Sequence, residues 1–363
     1  AVAITAALQR AGSDPAATDE VVMGCVVQAG AGQAPARQAG IYAGVPEHVG
    51  ATTINKVCGS GLKTAMLAAT LIRAGEGEQY VAGGMESMNG APYLLHRARF
   101  GYRLGDAELK DGLVLDGLWC AFENQHMGHS AEWIADAYGL TREELDQYAY
   151  ESQMKALRAI EAGAFRDEIA PVEAPQRKGP PALFDTDEAP RPDTTPEVLA
   201  TLRPAFKPDG KVTAGHAPGI TDGAAAVVVA SRRRAEELGR APLARIVAHA
   251  QAAVKPLEIF TAPAFAIRSL LEKTGTSLND YDLFEINEAF ASQVLANGRA
   301  LGLDWARTNV NGGAIALGHP IGASGARCLV TLIYALRQRG LRRGIVALCL
   351  GGGEAVAMSI EIE

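Results

Sequence analysis

The sequence predicts a doubled α/β fold interrupted by a long insertion, and three observations carry that expectation. Helix-like and strand-like segments alternate through residues 1–88 and again from about 241 to the end, the pattern of α/β layers on a largely parallel sheet. The rhythm fails between about Gly90 and Gly215, where turn clusters, scattered aromatics and a proline-rich tract take over. The two alternating stretches also resemble each other. Val57-Cys58-Gly59-Ser60-Gly61-Leu62-Lys63 parallels Ile321-Gly322-Ala323-Ser324-Gly325-Ala326-Arg327. Each is followed by a helical pattern and then by a strand ending in glycines, Gly83-Gly84-Met85-Glu86 and Gly351-Gly352-Gly353-Glu354. The expected boundaries are 1–90 with 216–238 for the first half, 91–215 for the insertion and 239–363 for the second half.

The first ten residues, Ala1 to Arg10, read as the middle of an amphipathic helix with neither Met nor a capping residue ahead of it. The expectation is that the natural start lies further upstream. Residues 20–28 form an apolar, β-branched run suited to a buried strand, and 33–39 open a helix. Residues 51–55 are strand-like and deliver the chain to Cys58, a helix runs from Leu62 to Ala74, and a strand from 79 enters the first glycine corner. Within the insertion, 130–164 is helical and 170–208 is proline-rich with little periodicity. Residues 220–230 resume the α/β pattern. The second half then adds a helix (262–273), a strand (281–286), a helix (288–301), a glycine turn (311–325), a helix (326–338) and strands at 344–350 and 354–361.

Bulk properties narrow the function. A chain of 363 residues with a formal net charge of -7 makes a nucleic-acid surface an improbable main purpose, while leaving room for a local basic patch that meets an anionic small molecule. Mean hydropathy is +0.03 and no apolar run is long enough to span a bilayer. Five cysteines, odd in number and without a C-x-x-C pair, suit neither a disulfide scaffold nor a zinc site and point to a reducing compartment.

Cys58 sits at a strand-to-helix turn beside two glycines. Unpaired N–H groups and the helix dipole there favour an anion, so the thiol pKa is expected to fall and yield the nucleophilic thiolate. A buried structural cysteine is the alternative. Three further candidates lie in the second half. Glu285-Ile286-Asn287-Glu288-Ala289-Phe290 clusters polar groups at a strand-to-helix junction, where Asn287 either faces a cleft or caps the helix. His319 stands in a glycine-rich stretch, Asn309 to Gly322, and can act as base for a thiol. Cys349 ends an apolar strand before Gly351-Gly352-Gly353. In an α/β sheet the carboxyl ends of the strands share the edge where ligands bind. Two thiols and a base there allow one thiol to hold an acyl group while the other moves a carbon-bound proton.

These residues bring the chain to a specific resemblance. NKVCGSG (55–61), GGMESM (83–88), HMG (126–128), DGAAA (222–226), NEAFA (287–291), NVNGGAIALGHPIGASGAR (309–327) and CLGGG (349–353) occur in the order found in thiolases, and the chain resembles that family along nearly its whole length. The resemblance implies a duplicated five-layered α/β/α/β/α fold carrying a loop domain. It implies an acyltransferase that condenses acetyl-CoA with an acyl-CoA or cleaves a 3-oxoacyl-CoA with free CoA, as in fatty-acid metabolism and β-oxidation. CoA thioesters are then substrates, and no cofactor or metal is called for. Cys58 would be acylated, His319 would take its proton, and Cys349 would act on the acetyl α-carbon. Asn287, through a water, would complete one oxyanion hole with His319; the N–H groups of Cys58 and Gly351 would form the other. Leu118, His126, Met127 and Phe290, with Ala217, Pro218 and Gly219, match positions that line the pantetheine and acyl pocket, although packing alone also accounts for Leu118 and Met127. Arg203, Lys207 and Lys211 either meet CoA phosphates or are solvated surface charge. The resemblance further implies a homodimer or homotetramer, with 93–111 as a tetramer-building loop. A cytoplasmic location is expected, or a mitochondrial or peroxisomal matrix if the natural start is a targeting segment.

The chain departs from the family pattern at His216 and Pro218, where Asn and Ser are usual, and a proline offers neither hydroxyl nor N–H to the CoA arm. Glu354-Ala355 stands where Met-Gly is commoner, and the family's first strand is not in this sequence. Two other readings are a silent acyl-binding or scaffold subunit and a ketoacyl synthase-like condensing enzyme; intact Cys58, His319 and Cys349 argue against the first, and the second thiol against the other.

Overall fold

The computed structural model describes residues 1–363. The first sheet contains β1 (Glu20–Gly24), β2 (Gly50–Ile54), β3 (Gln79–Ser87) and β4 (Asp222–Ala230), in the spatial order β4-β3-β1-β2. The second contains β5 (Arg245–Ala253), β6 (Leu283–Ile286), β7 (Arg343–Leu350) and β8 (Glu354–Glu361), in the order β5-β8-β7-β6. The sheets are built alike. β1 pairs in parallel with β2 and β3, as β6 pairs in parallel with β7 and bridges Thr308 on its other side.

The expected parallel character holds only at the centre. β4 runs antiparallel to β3, and β8 runs antiparallel to both β7 and β5. For β7 and β8 the reason is connection length: they are joined by Gly351–Gly353 alone, and so short a link can join only antiparallel neighbours.

Helices occupy both faces of each sheet. The principal ones are α1 (Val2–Ala11), α2 (Pro35–Tyr42), α3 (Ser60–Ala74), α4 (Met127–Ala137), α5 (Arg142–Glu161), α6 (Pro196–Ala200), α7 (Arg232–Glu237), α8 (Ala262–Thr274), α9 (Ala291–Leu301), α10 (Ala314–Leu317) and α11 (Ser324–Gln338). Ile4 and Leu8 of α1 and Ala36 and Ala39 of α2 pack on Val21, Met23 and Val81, one face of the first sheet. The opposite face shares a core with α3, α11 and one face of the second sheet. The remaining face of the second sheet, Ile345, Ala347 and Cys349 of β7 with Ala355 and Ala357 of β8, meets α8 and α9. Five layers result, and the central strands are buried on both sides, which is why they read as continuous apolar runs.

The middle layer explains the internal repeat. α3 and α11 cross at their N-termini so closely that a Cβ on Gly61 would lie 2.7 Å from the Ala326 nitrogen, and one on Gly325 would lie 2.2 Å from the Leu62 nitrogen. The two Ser-Gly pairs are therefore demanded by one contact, seen from each half.

The segment between β3 and β4 leaves the first sheet and packs on the second half. Met127, Ala131 and Ile134 of α4 join Phe260, Ile267 and Phe290 in one core. The helical stretch expected over 130–164 is two helices. α4 ends where Leu140 N–H returns to the Ala135 carbonyl, with Gly139 left-handed at φ 58°. Thr141 then caps α5 reciprocally with Glu144. The proline-rich tract carries a short hairpin, Val172–Ala174 with Ala182–Phe184, and the single turn of α6. No helix is long and apolar enough to cross a membrane.

Candidate active site

The nucleophile turn is held in an uncommon conformation. Val57 has φ 44°, a left-handed value that costs a β-branched residue energy. Asn55 Oδ1 accepts the Val57 N–H at 2.9 Å, and Ser60 Oγ accepts from Lys56 N–H at 2.8 Å while donating to the Val57 carbonyl at 2.7 Å. The strained residue thereby aims Cys58 out of the β2-to-α3 corner. Four of the five cysteines are buried; Cys58 alone is partly open.

The expectation of a depressed thiol pKa is corrected. Burial pushes the Cys58 thiol up to about 12; the backbone N–H groups of Gly351 and Cys58 near the sulfur pull the other way, and Glu86 adds to the rise. Desolvation outweighs the helix terminus here. Cys349 is buried, and its thiol is raised well above its ordinary value by burial and by the neighbouring Cys58. The two thiols, one from each half, share one site.

His319 is 8% exposed. Its Nδ1 lies 2.5 Å from Ser324 Oγ, and Ser324 gives its only hydroxyl proton to the Pro320 carbonyl at 2.8 Å. Nδ1 must therefore carry the hydrogen and donate, which leaves Nε2 unprotonated. Burial, with Arg327 second, drives the imidazole down to about 3, so the ring is neutral at physiological pH. Nε2 faces Asn287 Nδ2 at 3.5 Å. Asn287 is not a helix cap: α9 begins at Ala291 behind Phe290. Its backbone N–H joins the Ala347 carbonyl at 3.0 Å, and its Oδ1 accepts from Cys328 Sγ at 3.8 Å, which turns the Nδ2 group toward His319.

Two buried glutamates escaped sequence reasoning. Glu288 accepts from Tyr148 Oη (2.9 Å), Ser152 Oγ (2.7 Å), Asn309 Nδ2 (3.0 Å) and the Ile315 N–H (3.0 Å). It ties the polar junction and the glycine-rich stretch to α5. Glu86 accepts from the N–H groups of Val26 (3.1 Å), Val27 (3.0 Å) and Gly322 (2.8 Å), joining the first sheet to the His319 loop. Burial raises its pKa against those bonds. The signal for Glu86 was a lone carboxylate at a glycine-rich strand end; for Glu288 it was membership of the polar cluster 285–290.

The expected pocket residues fall into three groups. Leu118, at the end of a π-helical turn over Val114–Leu118, packs on the cluster that also holds Val57, Cys58 and Ile321. His126 caps α4 by accepting the Gly128 N–H at 3.0 Å and stacks on Phe206 with centroids 5.0 Å apart. Phe206 meets Phe290 edge-on at 5.9 Å, and Phe290 meets Phe260 at 5.4 Å. Phe206 thus belongs to this aromatic wall, although nothing in its sequence context marked it. Met127 is buried in the core beneath, and Ala217 packs on that core. Half-buried Pro218 leads to exposed Gly219, whose carbonyl accepts from Thr221 Oγ1 at 2.8 Å; that hydroxyl in turn accepts the His319 N–H at 3.3 Å.

His216 faces away from any ligand. It is buried, its Nδ1 accepts the Thr213 N–H at 3.1 Å, and its Nε2 therefore donates to Asp146 Oδ1 at 2.6 Å. Asp146 is also held by Arg142 at 3.0 Å. The departure at His216 pins the loop to α5. Lys207 and Lys211, candidates for CoA phosphates, are each paired with Asp136 at 2.9 Å.

A partly open cysteine, a second thiol and a neutral imidazole, assembled between two duplicated α/β halves, suit an acyl-transferring enzyme. The thiolase N-terminal domain family matches residues 1–233 and the thiolase C-terminal domain family residues 240–362. The chain is 55% identical over 360 residues to an acetyl-CoA acetyltransferase of Pseudomonas aeruginosa, covering 99% of this chain and 92% of that one. It is 52% identical over 362 residues to the acetyl-CoA acetyltransferase of Escherichia coli, with the same coverage, 99% and 92%. Among solved structures it is similar to the Bacillus anthracis acetyl-CoA acetyltransferase, with TM-score 0.97 and 44% identity over 100% of this chain and 91% of the other. It is likewise similar to human mitochondrial 3-ketoacyl-CoA thiolase in complex with CoA, with TM-score 0.96, 42% identity and the same 100% and 91% coverage. The chain belongs to the thiolase family. Its activity is acyl transfer between CoA thioesters, and its substrates are CoA and acyl-CoA.

Proposed function

We propose that this thiolase acts on acetoacetyl-CoA and acetyl-CoA through an acetyl-Cys58 intermediate, in both directions. The observation that carries the reading is the convergence on the Cys58 turn of groups from both halves: Gly351, which lies against Val57, and the Cys349 thiol near Cys58.

The scheme closes with every resting group neutral. In cleavage, His319 Nε2 takes the Cys58 proton as the sulfur attacks the 3-oxo carbon, and the N–H groups of Cys58 and Gly351 hold the oxyanion. The C–C bond breaks. The acetyl-CoA enolate, held by the His319–Asn287 side, takes the Cys349 proton at carbon, and Cys349 recovers a proton from His319. Free CoA then passes its thiol proton to His319, attacks acetyl-Cys58 and releases Cys58, which takes that proton back. Condensation is the reverse. Because Cys58 and His319 are both neutral at rest, proton transfer accompanies attack instead of preceding it. Loss of one oxyanion donor in such a site costs about 10²–10³-fold in rate.

No resident cofactor enters the scheme; the thioesters are substrates. We place the enzyme in the cytoplasm, a reading supported by its bacterial relatives and by five unpaired cysteines. A homodimer or homotetramer is supported by the half-exposed edge strand β2 and by the exposed Tyr93, Phe100, Leu104 and Leu109 of the 93–111 loop; light scattering at micromolar concentration measures that mass.

The test is acetoacetyl-CoA with free CoA, following loss of the 3-oxoacyl thioester, with Cys58→Ala alongside. Turnover in the native chain that vanishes in the variant is expected. Turnover that survives in the variant, or its absence with both acetoacetyl-CoA and longer 3-oxoacyl-CoAs, would overturn the reading.

A further inference from the structure

The oxyanion hole proposed above spans a seam. One donor, the Cys58 N–H, belongs to the first half; the other, the Gly351 N–H, belongs to the second. No β-ladder joins the two segments that carry them, since β2 and β7 lie in different sheets. Their separation must be fixed by side chains. Three contacts are available. Gly59 lies against Leu350, where an added Cβ would stand 2.1 Å from Leu350 Cδ2. Val57 packs against Gly351, where an added Cβ would stand 3.0 Å from Val57 Cγ1. Lys56 Nζ pairs with Glu354 Oε2 at 2.6 Å.

That ion pair is well placed to act on the hole. Lys56 lies two residues before Cys58 and its N–H is already held by Ser60; Glu354 lies three residues after Gly351, at the first position of β8. The lysine side chain is 22% exposed and the glutamate 42%. Lys63, in the first turn of α3, also feels the Glu354 carboxylate. A half-exposed pair of this kind adds little to global stability. Its leverage is geometric, because it bridges two short, glycine-rich segments whose relative shift of a fraction of an ångström changes both donor distances at once.

We propose that Lys56 and Glu354 are a positioning pair that sets the oxyanion hole by clamping the Cys58 turn to the Gly351–Gly353 turn. The inference rests on the assignment of Cys58 as the acylated residue, and the test separates the two. Intact-mass spectrometry with acetyl-CoA alone first shows whether wild-type Cys58 is acetylated; rapid quench then gives the single-turnover rate for wild type, Lys56→Met, Glu354→Gln, the double variant and Lys56→Arg.

The expected result is a fall of about threefold to thirtyfold in acylation rate for each single variant, with KM for acetyl-CoA within about twofold of wild type. The double variant should be no slower than the worse single, because both remove one clamp. Lys56→Arg should restore most of the rate. Added salt should slow the wild-type enzyme and leave Lys56→Met unaffected. Melting temperatures report folding separately. Acylation within twofold of wild type in both single variants, or a loss that follows melting temperature alone, would overturn the pair's role. A wild-type Cys58 that is never acetylated would overturn the underlying assignment and this inference with it.

Discussion

The Cys58 turn and the Gly322 turn are the same local structure put to different use. Cys58-Gly59-Ser60-Gly61 opens α3, and Gly322-Ala323-Ser324-Gly325 opens α11. In each the serine hydroxyl bonds a backbone carbonyl three or four residues back, and in each the following glycine lets the helices cross. Ser60 spends its acceptor capacity on the Lys56 N–H, stabilising the strained Val57. Ser324 spends it on the His319 ring. Where the first turn bears the thiol, the second has a glycine whose N–H is bound by Glu86 and whose Cβ would lie 2.6 Å from the Met85 carbonyl. Duplication supplied two equivalent corners; one presents the Cys58 thiol and the other frames the His319 ring.

The largest expected effect that separates the corners is chemical. Cys58→Ala should lower acetoacetyl-CoA cleavage at least about 10³-fold with little change in melting temperature. Gly322→Ala, at the matching position, should act first on stability, by about 1–3 kcal/mol of overpacking seen in thermal melts. Equal activity losses without loss of stability in Gly322→Ala would break the comparison.

The serines come next. Ser324→Ala frees the imidazole to rotate or change tautomer, and kcat should fall about 10- to 100-fold. Ser60→Ala removes two bonds from the strained turn, and denaturant melts should show a loss of about 1–2 kcal/mol. A Ser324→Ala enzyme with native kcat would show that His319 is held by its surroundings alone.

Glu288→Gln tests the second half's frame. An amide keeps one acceptor oxygen and turns the other into a donor facing Ser152 and the Ile315 N–H. A loss of about 2–3 kcal/mol is expected in denaturant titration; a neutral result would show that the frame does not depend on the second acceptor oxygen.

The comparison also extends to the pH dependence of stability. The unfolded His319 takes a proton near pH 6.5, whereas the folded ring stays neutral to about 3, so stability should fall as pH drops through that window. Cys58 acts at the other end: the unfolded thiol ionises near pH 9 and the folded one only near 12, so stability should also fall above pH 9. His319→Asn should flatten the acidic limb and Cys58→Ala the alkaline one, read from melting temperature against pH.

A second contrast lies in the sheets. β8 is flanked by β7 and β5 and is buried along nearly all its length, whereas β4 has only β3 beside it and is mostly half-buried. Equally apolar strands differ in burial because of their neighbours, and strand neighbours are a property of topology that no single segment encodes.

Much of the molecule was legible in the sequence. The elements, the repeat and the polar residues of the site stand where composition and spacing put them, because a strand buried on both faces, a Ser-Gly helix start and a glycine corner each leave a local mark. The thiol pKa was read wrongly, and the parallel sheet holds for the central strands but not for β4, β5 and β8, since burial and strand neighbours are not local. The contacts of Glu86, Glu288, Phe206 and the Lys56–Glu354 pair were missed for the same reason: each acts on partners in other elements, from 21 to 298 residues away. By itself the sequence determined which residues can do chemistry and which segments are helix or strand. Only the tertiary structure decided that donors from two halves meet at one sulfur, because a site across a seam exists only when both cores have packed.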